Sequence, residues 1–447
     1  MTLRYIELFA GIGGFRSALD ALGGVCVFAS EIDKYASQAY QALYNGAAEL
    51  HGDITKIDAQ DIPDHDVLVG GFPCQAFSVA GQRKGFEEAR GTLFFEIARI
   101  AKTKRPRLML LENVKGLLSH DGGKTFETMC AVLNDIGYAI DFRIVNSKHY
   151  GVPQNRERIF VVCDRDAEHE DWNVSGNDVG AKAKRRAQAL GVRTFNFDWP
   201  ENNEVTARLR DVLEAQVGEK YYLSEEKTAK LIAQLEERGQ IAESDDCGMV
   251  GYVDGINGHD ICRRVSTPTG VAPTIPTGSS GNTTPKIAEP YTVFQKTTSW
   301  TTTVKYDETG TLQAARLDKV PQVVTEEVRA VLTPERPEKR QNGRRFKEDG
   351  EESFTLTAQD KHGVAIGRYP RYRIRKLTPR ECWRLQGFTD AQHDAVAAAG
   401  VSDSQRYKQA GNAVTVNVIH ALGERLIPRL AELSETGNRL TPEKEAA

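Results

Sequence analysis

The residues ELFAGIGGF, 7–15, sit where an apolar strand must turn into a helix, and their reading decides the fold. RYIELFA (4–10) has the pattern of a buried strand and FRSALDAL (15–22) that of a helix. Between them Gly11, Gly13 and Gly14 permit a tight turn and a close backbone approach, as where nucleotides are received at the carboxyl ends of parallel strands. The third glycine of a GxGxxG dinucleotide fingerprint is missing. Outward from this turn the alternation continues. VCVFASEID (25–33), HDVLVGGFP (65–73), RLMLLENV (107–114) and ERIFVVCD (157–164) read as strands. YASQAYQALY (35–44), TLFFEIARIAKTK (92–104) and FETMCAVLNDIG (126–137) read as helices. Such alternation predicts an α/β fold with a doubly wound, mostly parallel sheet.

The rhythm breaks after about residue 166. AKAKRRAQAL (181–190) and SEEKTAKLIAQLEERG (224–239) suggest helices, but 245–370 is rich in Gly, Thr, Ser and Pro, with short β-prone pieces such as YTVFQKTTSWTTTVKY (291–306). The run 335–352 carries six basic and six acidic residues and reads as a solvated loop. Helix signals resume at TPRECWRLQGF (378–388), where Thr378 can cap and Pro379 suits the first helical position, and continue in GNAVTVNVIHALGERLIPRLAEL (411–433). The expected organisation is a catalytic and cofactor-binding domain at 1–190 and an inserted smaller, irregular, β-rich domain at 191–389. A helical return at 390–433 and a frayed tail at 434–447 follow.

With 447 residues, 40% hydrophobic and 27% charged, the chain is expected to be a cytoplasmic globular protein with no membrane partner. Seven scattered cysteines form no CxxC pair, so reduced thiols and no metal are expected. The net charge of −4 disfavours a uniformly basic surface. Residues 361–380, however, hold Lys361, Arg368, Arg371, Arg373, Arg375, Lys376 and Arg380 with no acid, interleaved with Tyr369 and Tyr372. Such a stripe suits phosphates.

The chemistry gathers at strand ends. Glu31 closes the second strand at a distance suited to two ribose hydroxyls, and Asp53 in HGDIT could accept from an adenine amino group. No lysine-bearing phosphate loop is present, so an adenosine without a phosphate chain is the expected ligand, and S-adenosylmethionine suits better than NAD or ATP. In GGFPCQAFSVAG (70–81), Cys74 follows a strand at the same edge, on a loop restricted by Pro73. LLENVKG places Glu112 and Asn113 at another strand end, and VPQNRERIF offers Gln154, Arg156 and Arg158. A thiol, a carboxyl and a guanidinium at one cleft suit methylation of cytosine C5. Thiolate addition to C6 makes C5 an enamine carbon, a carboxylic acid can protonate N3 and an arginine can hold O2.

At this point the chain resembles the DNA (cytosine-5) methyltransferases of bacterial restriction-modification systems. ELFAGIGGF, GGFPCQAFSVAG, ENVKGL, QNRERIF, RKLTPRECWRLQGF and YKQAGNAVTVNV follow that family's blocks in order. The resemblance implies an S-adenosylmethionine-dependent methyltransferase fold. It implies Cys74 as nucleophile, Glu112 as N3 partner, Arg158 as O2 contact and Arg156 as a support. It implies Phe9, Gly11 and Gly13 around the methionine part of S-adenosylmethionine, Glu31 and Ile32 at the ribose and Asp53 at the adenine. Leu93 would lie against the adenosine, with Asn412 and Val414 completing the methionine pocket. The target cytosine would be flipped out of double-stranded DNA, with Ser78 to about Arg90 closing over it. The inserted region would recognise the target, Arg368, Arg371 and Arg373 meeting phosphates first and bases second. A monomer is expected, together with a restriction endonuclease of the same specificity from which host DNA would be protected.

Three alternatives remain. A tRNA cytosine-5 methyltransferase shares the core, but the long insertion and PCQAFSVAG favour DNA. A non-catalytic DNA-binding module would not need every chemical position intact. An NAD-dependent oxidoreductase fails on the glycine spacing.

Overall fold

A computed structural model describes residues 3–73, 93–222, 272–273, 286–290, 327–332, 362–368 and 371–439. Its centre is a seven-stranded sheet of β1 (Arg4–Leu8), β2 (Val25–Ser30), β3 (Leu50–His51), β4 (Val67–Gly71), β5 (Leu108–Val114), β6 (Ala139–Asn146) and β8 (Glu157–Asp164). The order is β3-β2-β1-β4-β5-β8-β6. Every adjacent pair from β3 to β5 is parallel, whereas β8 runs antiparallel to both β5 and β6. The sheet is thus the doubly wound, mostly parallel one expected, with its topological switch between β1 and β4.

The strands read as unbroken apolar runs because both faces are covered. Leu68, Met109 and Leu111 point into one core with Phe94 and Ile97 of α3 (Leu93–Lys104) and Phe126, Met129 and Leu133 of α4 (Lys124–Asp135). Their neighbours Val67, Val69, Leu108 and Leu110 point into the other, with Phe15 and Leu19 of α1 (Gly14–Ala21) and Ile419 and Leu422 of the last helix. Alternate residues serve opposite layers, as the pleat requires. α2 (Lys34–Leu43) covers β1 and β2 through Tyr40 and is capped by Asp33, whose carboxylate accepts from the Tyr35 and Ala36 amides. α5 (Val179–Ala189) lies where the sequence suggested a helix.

β6 escaped the sequence reading. Its apolar run is interrupted by Asp141, which is buried yet satisfied by Lys184 (2.7 Å), the Trp199 indole (2.7 Å) and the Phe197 amide (3.0 Å). Those partners also carry the core past the expected boundary at 191. Phe195, Phe197 and Trp199 pack in the layer that holds Val162 and Leu422. Residues 209–222 then remain against the same body, where Lys220 and Tyr221 both reach Asp403.

The inserted region contributes β9 (Ala272–Pro273), which pairs with β7 (Gln154–Asn155), and an antiparallel sheet ordered β10-β13-β12-β11. Its strands are β10 (Lys286–Pro290), β11 (Glu327–Leu332), β12 (His362–Arg368) and β13 (Arg371–Lys376). The chain returns through α6 (Pro379–Arg384), α7 (Asp390–Ala398), α8 (Asp403–Asn412) and α9 (Val416–Arg439). α6 opens on a full capping box between Thr378 and Glu381, with Pro379 in its first turn as expected. α7 and α8 lie within the helical return expected at 390–433, though their separate bounds were not read from the sequence, and α9 runs beyond 434 to Arg439. It lies on α1, where a Cβ on Gly423 would meet the side chains of Leu22 and Leu19. The suggested helix at 224–239, the strand-like piece at 291–306 and the loop at 335–352 lie outside the described residues.

Candidate active site

The carboxyl ends of β1, β2, β4 and β5 and the amino end of the reversed β8 share one sheet edge. At the end of β1 the chain enters the left-handed region three times, at Phe9 (φ 56°), Gly11 (φ 57°) and Gly13 (φ 77°). For Phe9 that conformation is costly, and such strain persists where surrounding structure fixes it. Gly13 has no alternative, because a Cβ there would run into the Tyr44 ring, whose hydroxyl donates to the Gly13 carbonyl at 2.6 Å.

Glu31 braces this turn. Its carboxylate accepts from the Gly11 amide and the Asp33 amide, each at 2.7 Å. Burial pushes its pKa up, while those two amides pull it back. Next to it Ile32 stands 74% exposed, an apolar side chain facing open space at a strand end. Asp53 accepts from the Thr55 amide and hydroxyl, and these bonds hold its pKa below the ordinary value. Leu93 opens α3 and is half-buried. Strained turn, braced carboxylate, exposed Ile32 and, among the described residues, no basic phosphate cradle together fit an adenosine group with a short polar tail.

Glu112 lies at the end of β5, 8% exposed, with Arg158 Nε 3.1 Å from Oε1. The reversal of β8 explains the pair, because Arg158 falls opposite Val114 and its side chain reaches diagonally to Glu112. Burial raises the Glu112 pKa, against the lowering pull of Arg158 and Arg156. Gly71, on the adjoining strand, makes room for the acid, since a Cβ there would sit 3.1 Å from Glu112 Oε2. Asn113 points the other way and donates to the Phe72 carbonyl at 2.9 Å, fixing the strand end two residues before Cys74. Cys74 itself and Ser78 lie outside the described residues. The four cysteines that are described, Cys26, Cys130, Cys163 and Cys382, are free and wholly or half buried. Burial raises each pKa, that of Cys26 to about 12, which suppresses their thiolates.

Arg156 is 2% exposed and does not reach Glu112 by any hydrogen bond among the described residues. It donates instead to the carbonyls of Gly411 (3.3 Å) and Ala413 (2.8 Å). That turn delivers Val414, whose methyls lie against Gly14 and Gly71, while Asn412 is exposed. Lys408 on α8 pairs with Asp33 at 2.7 Å, and Gln409 donates to the Tyr35 carbonyl. The last quarter of the chain therefore builds one wall of the site. Lys408, Gln386 and Thr415 lie in the quoted blocks RKLTPRECWRLQGF and YKQAGNAVTVNV but were given no role in the sequence, because their partners are distant along the chain.

The basic stripe divides. Arg375 is fully buried in a bidentate pair with Glu381, both bonds 2.8 Å, and Arg380 pairs with Glu214 (3.0 Å) and Asp394 (2.5 Å). These two arginines are structural, and the expectation that the whole stripe meets phosphates is corrected for them. Arg368 and Arg371 are opposite one another at the β12–β13 turn, and Arg373 is opposite Ile366. No group of three or more metal-ligating side chains occurs among the described residues, and no helix among them is long and apolar enough to cross a membrane.

The sheet order defines a protein of the doubly wound α/β class with its candidate site at one sheet edge. The model of the C-5 cytosine-specific DNA methylases matches residues 3–428, and the chain belongs to that family. It is 42% identical over 496 residues to the orphan methyltransferase M.Rho11sI of Bacillus phage rho11s, covering 95% of this chain and 98% of that one. It is 42% identical to the type II methyltransferase M.HhaI of Haemophilus parahaemolyticus over 211 residues, 47% of this chain and 57% of the other. A mutant DNMT2 of Spodoptera frugiperda shares the fold with TM-score 0.52 at 15% identity, covering 95% of this chain and 100% of that one.

Proposed function

We propose that this protein transfers a methyl group from S-adenosylmethionine to C5 of a cytosine flipped out of double-stranded DNA, through a covalent bond between Cys74 and C6. The observation that carries the reading is the buried Glu112–Arg158 pair, beside the strand end that Asn113 holds two residues before Cys74. S-adenosylmethionine supplies an electrophilic methyl group; the chain's own residues must make C5 able to accept it.

The Cys74 thiolate adds to C6 and the ring becomes an enamine. Glu112, whose pKa burial raises against the lowering pull of Arg158 and Arg156, is assigned to N3, to give a proton or hydrogen bond as negative charge develops there. Arg158 orients that carboxyl and is assigned to O2. After transfer, loss of the C5 proton and expulsion of the thiolate restore the aromatic ring. Arg156 supports the site from its cofactor side through the 411–413 carbonyls. Phe9, Gly11, Gly13, Glu31, Ile32, Asp53, Leu93, Asn412 and Val414 are assigned to the cofactor. Ser78 is assigned to the loop over the flipped base, and Arg368, Arg371 and Arg373 to the DNA backbone. The insertion beginning after residue 222 is assigned to target recognition. M.Rho11sI is named an orphan methyltransferase, which favours DNA modification without a paired endonuclease as this protein's role.

A labelled-methyl assay tests the reading. The wild-type protein should label duplex DNA and not tRNA, and Cys74→Ser should abolish labelling while S-adenosylmethionine still binds. Undiminished transfer by the serine variant would sink the covalent mechanism, and transfer to tRNA alone would sink the substrate assignment.

A further inference from the structure

Four carbonyls at the end of any α-helix lack partners within the helix. At the end of α8 one of them is met by the helix's own capping amide and two by side chains from distant parts of the chain. The Ala413 amide donates to the Gln409 carbonyl at 2.9 Å, Gln386 Nε2 to the Ala410 carbonyl at 2.6 Å and Arg156 to that of Gly411. Gln386 is fully buried and does more than cap the helix. Its Oε1 accepts from the Thr415 hydroxyl at 3.0 Å, and its own carbonyl accepts from the Val416 amide at 2.9 Å. The Thr415 hydroxyl lies 2.8 Å from that of Ser147, whose amide donates to the Arg156 carbonyl. Gln154 closes the ring of contacts by donating to the Leu385 carbonyl at 3.0 Å.

These bonds clamp residues 410–416 at both ends, and the turn between them seats Val414 between Gly14 and Gly71. One methyl of Val414 faces the glycine turn; the other faces the strand on which Gly71 leaves room for Glu112. We infer that Gln386 is a positioning residue for the cofactor pocket. Through Thr415 and the 410–416 turn it fixes where Val414 and Asn412 stand, and it does so from the segment that leaves the inserted region. The inference rests on the proposed use of S-adenosylmethionine.

Two variants test it. Gln386→Met keeps the bulk and removes both side-chain bonds, and Thr415→Val removes the hydroxyl at nearly constant shape. Each is expected to raise KM and Kd for S-adenosylmethionine about tenfold, the loss of one to two hydrogen bonds near 1 kcal/mol each. The kcat at saturating cofactor and the affinity for duplex DNA should stay within about twofold of wild type. A merely structural role would lower the melting temperature and leave KM of the folded fraction unchanged. If both variants fold and bind S-adenosylmethionine as wild type does, the inference is overturned. Should Gln386→Met fail to fold, Thr415→Val decides alone. Failure of the wild-type protein to bind S-adenosylmethionine would instead overturn the proposed function.

Discussion

Two buried carboxylate–guanidinium pairs differ in how completely they are satisfied. At the foot of the inserted region Glu381 accepts from both terminal nitrogens of Arg375, from the Thr378 amide and from the Glu214 amide, and it is wholly excluded from solvent. At the sheet edge Glu112 has Arg158 alone as a polar partner among the described residues, keeps 8% of its surface exposed and has a raised pKa. The first carboxylate has spent its lone pairs on the fold. The second holds capacity in reserve at an edge where a ligand can reach it. Burial alone does not mark a functional acid; burial with acceptor capacity left over, at an edge that a ligand can reach, does.

Substitution of each acid by glutamine should separate the two roles. Glu112→Gln is expected to lower kcat by about 10²–10⁴-fold, the usual worth of a general acid, with a smaller effect on the binding of S-adenosylmethionine. A variant with undiminished kcat would remove Glu112 from the chemistry and collapse the contrast. Glu381→Gln should act on the fold, because it leaves the buried Arg375 charge uncompensated at a cost of about 3–5 kcal/mol. Chemical denaturation reads that loss, and a variant as stable as wild type would show that the pair contributes little.

Glu7 on β1 extends the series. It is fully buried, accepts from the Tyr40 hydroxyl at 3.1 Å, and its Oε1 has no partner among the described residues. Burial raises its pKa to about 8. A carboxyl whose folded pKa lies above its unfolded one binds more protons when folded, so stability falls as pH rises from about 4.5 to about 8. The slope from this group should be at most about 1.4 kcal/mol per pH unit. Glu7→Gln should flatten it, as followed by denaturant midpoints across that range. An unchanged slope would mean that Glu7 is already ionised in the folded state.

The candidate site residues were legible because they stand at strand ends, where a polar residue beside an apolar run has few structural reasons to be there. Glu31 and Glu112 follow the apolar runs of their strands, and Arg158 precedes the run IFVV at the amino end of the reversed β8. What escaped was whatever depends on a partner far along the chain. Asp141 breaks the apolar pattern of β6, and only Lys184 and Trp199 make its burial tolerable. Arg375 looked like one more phosphate ligand because its partner is defined by the turn between β13 and α6. The separate bounds of α7 and α8 within the expected helical return escaped too, since both are short and polar and are held by contacts such as Gln392 to Ser17 and Lys408 to Asp33, across more than 370 residues of sequence.

Arg156 and the turn it holds are 255 residues apart. During synthesis the ribosome completes the glycine turn, the acid and both arginines long before residue 411 emerges. An emerging chain can therefore assemble the sheet while its wall remains missing, and competence to modify DNA should arrive abruptly, once residues 411–416 have emerged.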